Sequence, residues 1–160
     1  MNSSPTALGV PQPKSKLVQW FRAYCCLDTR SLALFRIALG LLLLIDLINR
    51  ARFLRAHYTD FGVLPRGPLV TEFTYSEWLF SLHLVNGNVF FQGFLFASAF
   101  CFAIFLLFGF YTRLSTVVSW IFLISLHTRN PMVLQGGDDF LRVLLFWAMF
   151  LPLGARFSID

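Results

Sequence analysis

The segment Ser125 to Phe146, SLHTRNPMVLQGGDDFLRVLLF, sets Arg129-Asn130-Pro131 and Gly136-Gly137-Asp138-Asp139 between two strongly apolar runs. Adjacent carboxylates at Asp138 and Asp139 raise the question of a hard cation. A calcium or magnesium loop needs further carboxylates and carbonyls at set spacing, and none follows here, so no metal site is expected. Helix chemistry accounts for the same residues. Asn130-Pro131 stops one helix, the two glycines free the backbone, and Asp138 and Asp139 cap the next, with Arg142 one turn on to pair with them. Arg129, Asn130, Asp138 and Asp139 are therefore loop candidates for a site.

Arg36, Asp46 and Arg142 lie within or at the ends of apolar runs. An unpaired ionised group at a bilayer centre costs at least about 2.5 kcal/mol, so each must face protein or water. They are the candidate intramembrane charges of a ligand site. The plainer expectation is structural: Asp46 pairs with Arg50 at i+4, and Arg36 snorkels from near its helix start. Arg36 and Asp46 are separated by about 15 Å of helix axis and cannot satisfy each other. Arg36 is expected to meet the far end of the chain, with Asp160 a plausible partner, or a segment beyond it. His57, His83 and His127 show no spacing for a nucleophilic triad. Cys25, Cys26 and Cys101 show neither zinc spacing nor a disulfide framework.

The elements that must hold these residues belong to a membrane protein. Of the 160 residues 57% are hydrophobic and only 13% charged, with 20 Phe, which is not a soluble composition. The net charge of +5 is spread along the chain without a basic stripe. Lipid headgroups, and not nucleic acid, are the expected partners. Residues 1–16 read as a disordered polar tail with three prolines, and Leu17 to Leu27 as an amphipathic interfacial helix. Spanning helices are expected over Leu32–Asn49 and Val89–Phe110, and shorter apolar runs over Leu114–His127 and Phe140–Leu153. In the second, Gly93, Ala97 and Cys101 recur on one face and suggest a seam for close helix approach. Between the first two helices lies a polar connection with HYTDFGVLPRGP, then EWLFSLHLV, a second interfacial helix. The fold class is an all-α polytopic bundle of about four transmembrane helices plus interfacial helices. Basic residues divide almost evenly between the two sides, so orientation is open. Localisation is integral to a membrane, the bacterial inner membrane and the ER membrane being equally compatible.

Four phrases in order, LALFRIALGLLLLIDL, HYTDFGVLPR, GFYTRLS and HTRNPMVLQGGDDFLRVLLFW...LPLGARFSID, together resemble the transmembrane domain of vitamin K-dependent gamma-carboxylases and their relatives, the horizontally transferred transmembrane (HTTM) domain. The resemblance covers about Asp28 to Asp160 and implies that residues 17–160 form the N-terminal part of such a domain. It also implies a multi-helix membrane site for reduced vitamin K or another quinone, whose oxygenation generates a base strong enough to deprotonate a glutamate side chain. Carbon dioxide then adds to the carbanion. The sequence departs from the family twice: no lysine follows Lys16 to match the family's starting base, and Gly136-Gly137-Asp138 stands where the carboxylase has Asn-Asn-His. No catalytic residue is assigned, and carboxylation by this chain alone is not expected. The missing half of the domain, or another membrane protein, is the implied partner. The rival expectation is a small helical bundle that binds a lipid or quinone or scaffolds a partner.

Overall fold

The structure, a computed structural model, describes residues 29–67, 69, 81–154 and 158. Helix α1 covers Thr29–Ala51 and is 23 residues long, a proline-free run rich in Leu, Ile and Ala. A short α2, Leu54–Tyr58, follows at once. After a 3-10 turn at Leu82–Leu84, α3 runs from Val89 to Phe108. Asn88 starts it, accepting the Phe90 N–H at 2.9 Å, in the manner of an N-cap. Helix α4 is Thr112–Arg129, a 3-10 turn occupies Pro131–Val133, and α5 is Gly136–Ala148. No strand occurs among the described residues.

The α3–α4 connection is tight because two of its residues are left-handed, Gly109 at φ 76° and Tyr111 at φ 45°. The chain reverses within three residues, and α4 packs back along α3. A Cβ at Gly109 would collide with the Arg36 guanidinium. Gly109→Ala should therefore cost about 1–3 kcal/mol, the left-handed penalty plus displacement of Arg36. Gly93→Ala, at a helical position with open space around it, should be neutral or slightly stabilising. Paired thermal melts in detergent check both.

Helix α1 packs mainly on α3, α3 on α4, and α4 on α5. At Gly40 the backbones come so close that a Cβ would lie 2.9 Å from Leu107 Cα. Leu39, Leu43, Phe96, Ala99, Ala103, Leu106, Leu123 and Leu145 fill the core. The expected seam on α3 is not the one used: Ala97 and Cys101 are exposed, and a Cβ added at Gly93 would meet no neighbour. Gln92 decides the rotation. Its amide donates to His83 O at 2.8 Å and Asn86 O at 2.7 Å, so its face must turn inward, carrying Phe96, Ala99 and Ala103 with it. On α4 the inward face carries Thr112, Ser115, Thr116 and Ser119, small residues that admit a close neighbour.

Large apolar side chains stand exposed around this core, while two arginines are buried in it. Helices α1 and α3 are long and apolar enough to cross a membrane, yet only 39% and 33% of their apolar windows are buried. Leu34, Phe90 and Phe94 are 68%, 87% and 67% exposed, while Arg36 and Arg129 are among the largest fully buried side chains. At 1.5 Å per residue α1 and α3 reach about 34 and 30 Å, α4 about 27 Å and α5 only about 20 Å. The last run differs from expectation at both ends. It begins at Gly136 and not Phe140, because Asp138 Oδ2 accepts the Gln135 N–H at 2.9 Å and ties the first turn back to its N-cap residue. It stops at Ala148 because Pro152 has no N–H to donate and its ring would strike the Ala148 carbonyl.

The expected tail, the interfacial helix over 17–27, Cys25, Cys26 and Asp160 lie outside the described residues. Of the expected second interfacial helix, the described part forms only the Leu82–Leu84 turn.

Candidate functional site

Four helices bring their polar ends to one end of the bundle. The last turns of α1 supply Asp46 and Arg50, α2 supplies Tyr58, the end of α4 supplies His127 and the first turn of α5 supplies Asp138. Arg50 is the hub. Its Nε donates to both Asp46 oxygens at 2.8 and 2.9 Å, Nη1 to Tyr58 Oη at 3.2 Å, and Nη2 pairs with Asp138 Oδ1 at 2.6 Å. The Arg50 side chain is 8% exposed, Asp46 20% and Asp138 14%. Asp138 also accepts the Gln135 N–H through Oδ2 at 2.9 Å. The expectation that Asp138 and Asp139 are themselves the N-cap is thus corrected: Gln135 is the cap, and Asp138, three residues in, reaches back to it and across to α1. Burial pushes the Tyr58 phenol above its ordinary range.

A second network holds the connection after α2 against these ends. Arg129, fully buried, donates to Leu64 O at 2.9 Å and Thr59 O at 3.3 Å and lies 3.8 Å from Asp60. Asp60 pairs with Arg66 at 2.7 Å, and Arg66 reaches on to Leu84 O and Val85 O. The hydrogen bond from Arg66 holds the Asp60 carboxyl below the usual carboxylate range. Asn130 Nδ2 donates to His57 O at 3.1 Å, and its Oδ1 accepts the Met132 N–H at 3.2 Å. Both residues clamp backbone carbonyls, which turns two loop candidates into fasteners of the loop.

His83, 1% exposed, shares a 2.8 Å hydrogen bond between Nδ1 and Ser125 Oγ. Desolvation first, then the nearby Arg129 charge, pushes its pKa down to about 4. A histidine ordinarily titrating near 6.5 and held at about 4 when folded favours the neutral form. Its contribution is complete above about 6.5 and drains away as pH falls toward 4, a loss of about 3 kcal/mol across that window. Melts from pH 7 to 4 should show this fall, and His83→Gln should flatten it.

The remaining sequence candidates do not join the cluster. Arg142 pairs with Asp139 at 2.6 Å, the side chains being 39% and 60% exposed, so this pair stands apart from the buried cluster. Arg36 is buried at the opposite end, where Nη1 donates to Leu153 O at 3.3 Å. Sequence reasoning missed Tyr58, Asp60 and His127 as site members. The Asp60–Arg66 spacing was a usable signal; His127 left none.

An open cleft of about 380 Å³ adjoins the cluster, lined by Asp46, Asn49, Arg50, Phe53, His57, Tyr58, Val133, Gln135 and Asp138. Between the helices lies a much smaller cavity, about 10 Å³, walled by Leu43, Leu47, Phe96, Ala103, Phe122 and Leu126 with His83 and Ser119. The first has the size of a ligand site and the second fits about one water. No protein-family model matches the chain, and no curated protein or solved structure is significantly similar to it.

Proposed function

We propose that this chain is a multi-pass membrane protein of carboxylase-like organisation that holds a small ligand in the cleft beside Asp46, Arg50 and Asp138. The observation that carries the reading is the apolar outer surface, with Leu34, Phe90 and Phe94 exposed while Arg36, Arg50 and Arg129 are buried. In water that exposed surface would drive association, whereas in hydrocarbon it is the expected outer face. The three-residue reversal after α3 supports more than two crossings. If α3 crosses, α4 runs back beside it over nearly the same height. Helix α5, at about 20 Å, is the fourth element and enters only part of the hydrocarbon thickness unless the bilayer thins around it.

Support for the carboxylase-like part comes from convergence. The phrases that carry the HTTM resemblance contribute Asp46, Tyr58, Asp60, His127, Arg129 and Asp138, and these meet at one end of the bundle. The aromatic and polar wall of Phe53, His57 and Tyr58 suits a ring bearing hydroxyls, such as a reduced quinone headgroup, which would supply the oxygen-derived base when bound. The chain's own contribution is to orient that ring and to shield it from water. With no lysine after Lys16, carboxylation by this chain alone is not part of the proposal. A quinone lodged between the helices is disfavoured, since the cavity there is water-sized.

Two experiments test the reading. Membranes containing the protein are washed with alkaline carbonate: retention in the pellet supports a spanning protein, and release into the supernatant overturns it. Reduced vitamin K and labelled bicarbonate are then offered with a glutamate peptide. Incorporation should equal the protein-free control, and a clear excess would overturn the exclusion of activity.

A further inference from the structure

The Asp46–Arg50–Asp138 cluster has an incomplete side. His127 is 1% exposed, and neither of its ring nitrogens has a hydrogen-bond partner. A buried imidazole left this way has given up its water without gaining a hydrogen bond in return, so a partner with a use for it is called for. One of its ring nitrogens and one oxygen from each of Asp46 and Asp138 all lie within 4.8 Å of one another. We propose that Asp46, His127 and Asp138 bind a first-row divalent cation, such as Zn²⁺ or Mn²⁺, with an open coordination position facing the cleft.

The donor set selects the class of metal. An imidazole with two carboxylates suits Zn²⁺, Fe²⁺ or Mn²⁺; calcium and magnesium prefer all-oxygen sets, and Cu(I) prefers sulfur. Three protein ligands with a free position is the arrangement of a reactive site, not of a closed structural one. Bonds of about 2.0–2.2 Å require the three donors to draw together by roughly 1–1.5 Å, within the reach of side-chain rotation.

Arg50 does not exclude the ion. Each carboxylate offers about four lone-pair positions, and Arg50 and the Gln135 N–H use only some of them. Carboxylates that ligate a metal are ordinarily hydrogen-bonded from behind, and Arg50 is placed to do that for both. Charge then specifies what enters from the cleft. Two carboxylates against one guanidinium leave one net negative charge, and a divalent ion over-neutralises it by one. An anionic group, such as a carboxylate or bicarbonate, restores the balance. The inference stands on side-chain geometry and does not require the carboxylase-like reading.

The test uses the full chain in detergent, without a histidine tag, titrated with Co²⁺ and followed by visible absorption. One equivalent should bind and be displaced by Zn²⁺. His127→Gln should weaken binding by more than about tenfold, while Asp139→Asn leaves it unchanged. Less than one equivalent on folded wild type overturns the proposal, as does a folded His127→Gln that binds equally well. Should that variant not fold, zinc-edge X-ray absorption of the wild type decides. An imidazole in the coordination shell supports the site, and an all-oxygen shell overturns it.

Discussion

Arg50→Met should lower stability by about 3–5 kcal/mol, the largest effect expected of any single side chain here. Removing the guanidinium leaves Asp46 and Asp138 as two like charges facing each other at 20% and 14% exposure, and strips Tyr58 of its donor. The loss comes less from forfeited attraction than from stranding carboxylates away from water. The contrast is Asp139→Ala, which breaks an ion pair of the same 2.6 Å length at a site 60% exposed. There the solvent replaces the partner, and the change should stay within about 0.5 kcal/mol. Thermal midpoints of the two variants in one detergent check the pair; similar shifts would show that the cluster is not the keystone described.

Arg129→Met should cost about 2–4 kcal/mol and release the loop after α2 before the helices separate. The variant leaves the Leu64 and Thr59 carbonyls without their buried donor and removes one of the cations facing Asp60. Each orphaned carbonyl carries its own desolvation cost. Amide exchange over residues 59–66 should accelerate well before exchange in α1 or α3. Equal acceleration throughout would mean that Arg129 supports the bundle and not the loop. Arg129→Lys should recover only part of the loss, since a point-like ammonium cannot reproduce a fork directed at two carbonyls.

Much of the helical layout is legible in the chain, for reasons that particular residues make plain. Helices α1 and α3 announce themselves by apolar runs of near-membrane length, and Asp46 with Arg50 by their i, i+4 spacing. The start of α5 is hidden because Gln135 is not one of the usual cap residues, and the acid that takes its N–H is the short Asp138. The rotation of α3 was missed because a stripe of small residues looks like a seam until the single amide of Gln92 outweighs it. Arg50 and Asp138 leave no mutual trace in a linear reading, being far apart in the chain. The partners of Arg129 are harder still: they are backbone carbonyls 65 and 70 residues away, and every residue has one. A buried arginine advertises that it needs acceptors but not where they are.

The bond between Arg36 and Leu153 spans 117 residues of sequence. At a synthesis rate of about 5–20 residues per second, roughly 6–23 s separate the emergence of the two ends. During that interval α1 must be accepted into its surroundings with the arginine still waiting for that carbonyl. The charge lies near the start of α1, where a long side chain can stay in contact with water until α5 and Leu153 arrive. Moving it two turns deeper would leave the finished protein's inventory of charges unchanged and still endanger its assembly. The order in which the ribosome delivers the helices is thus a constraint on where along α1 this arginine can stand.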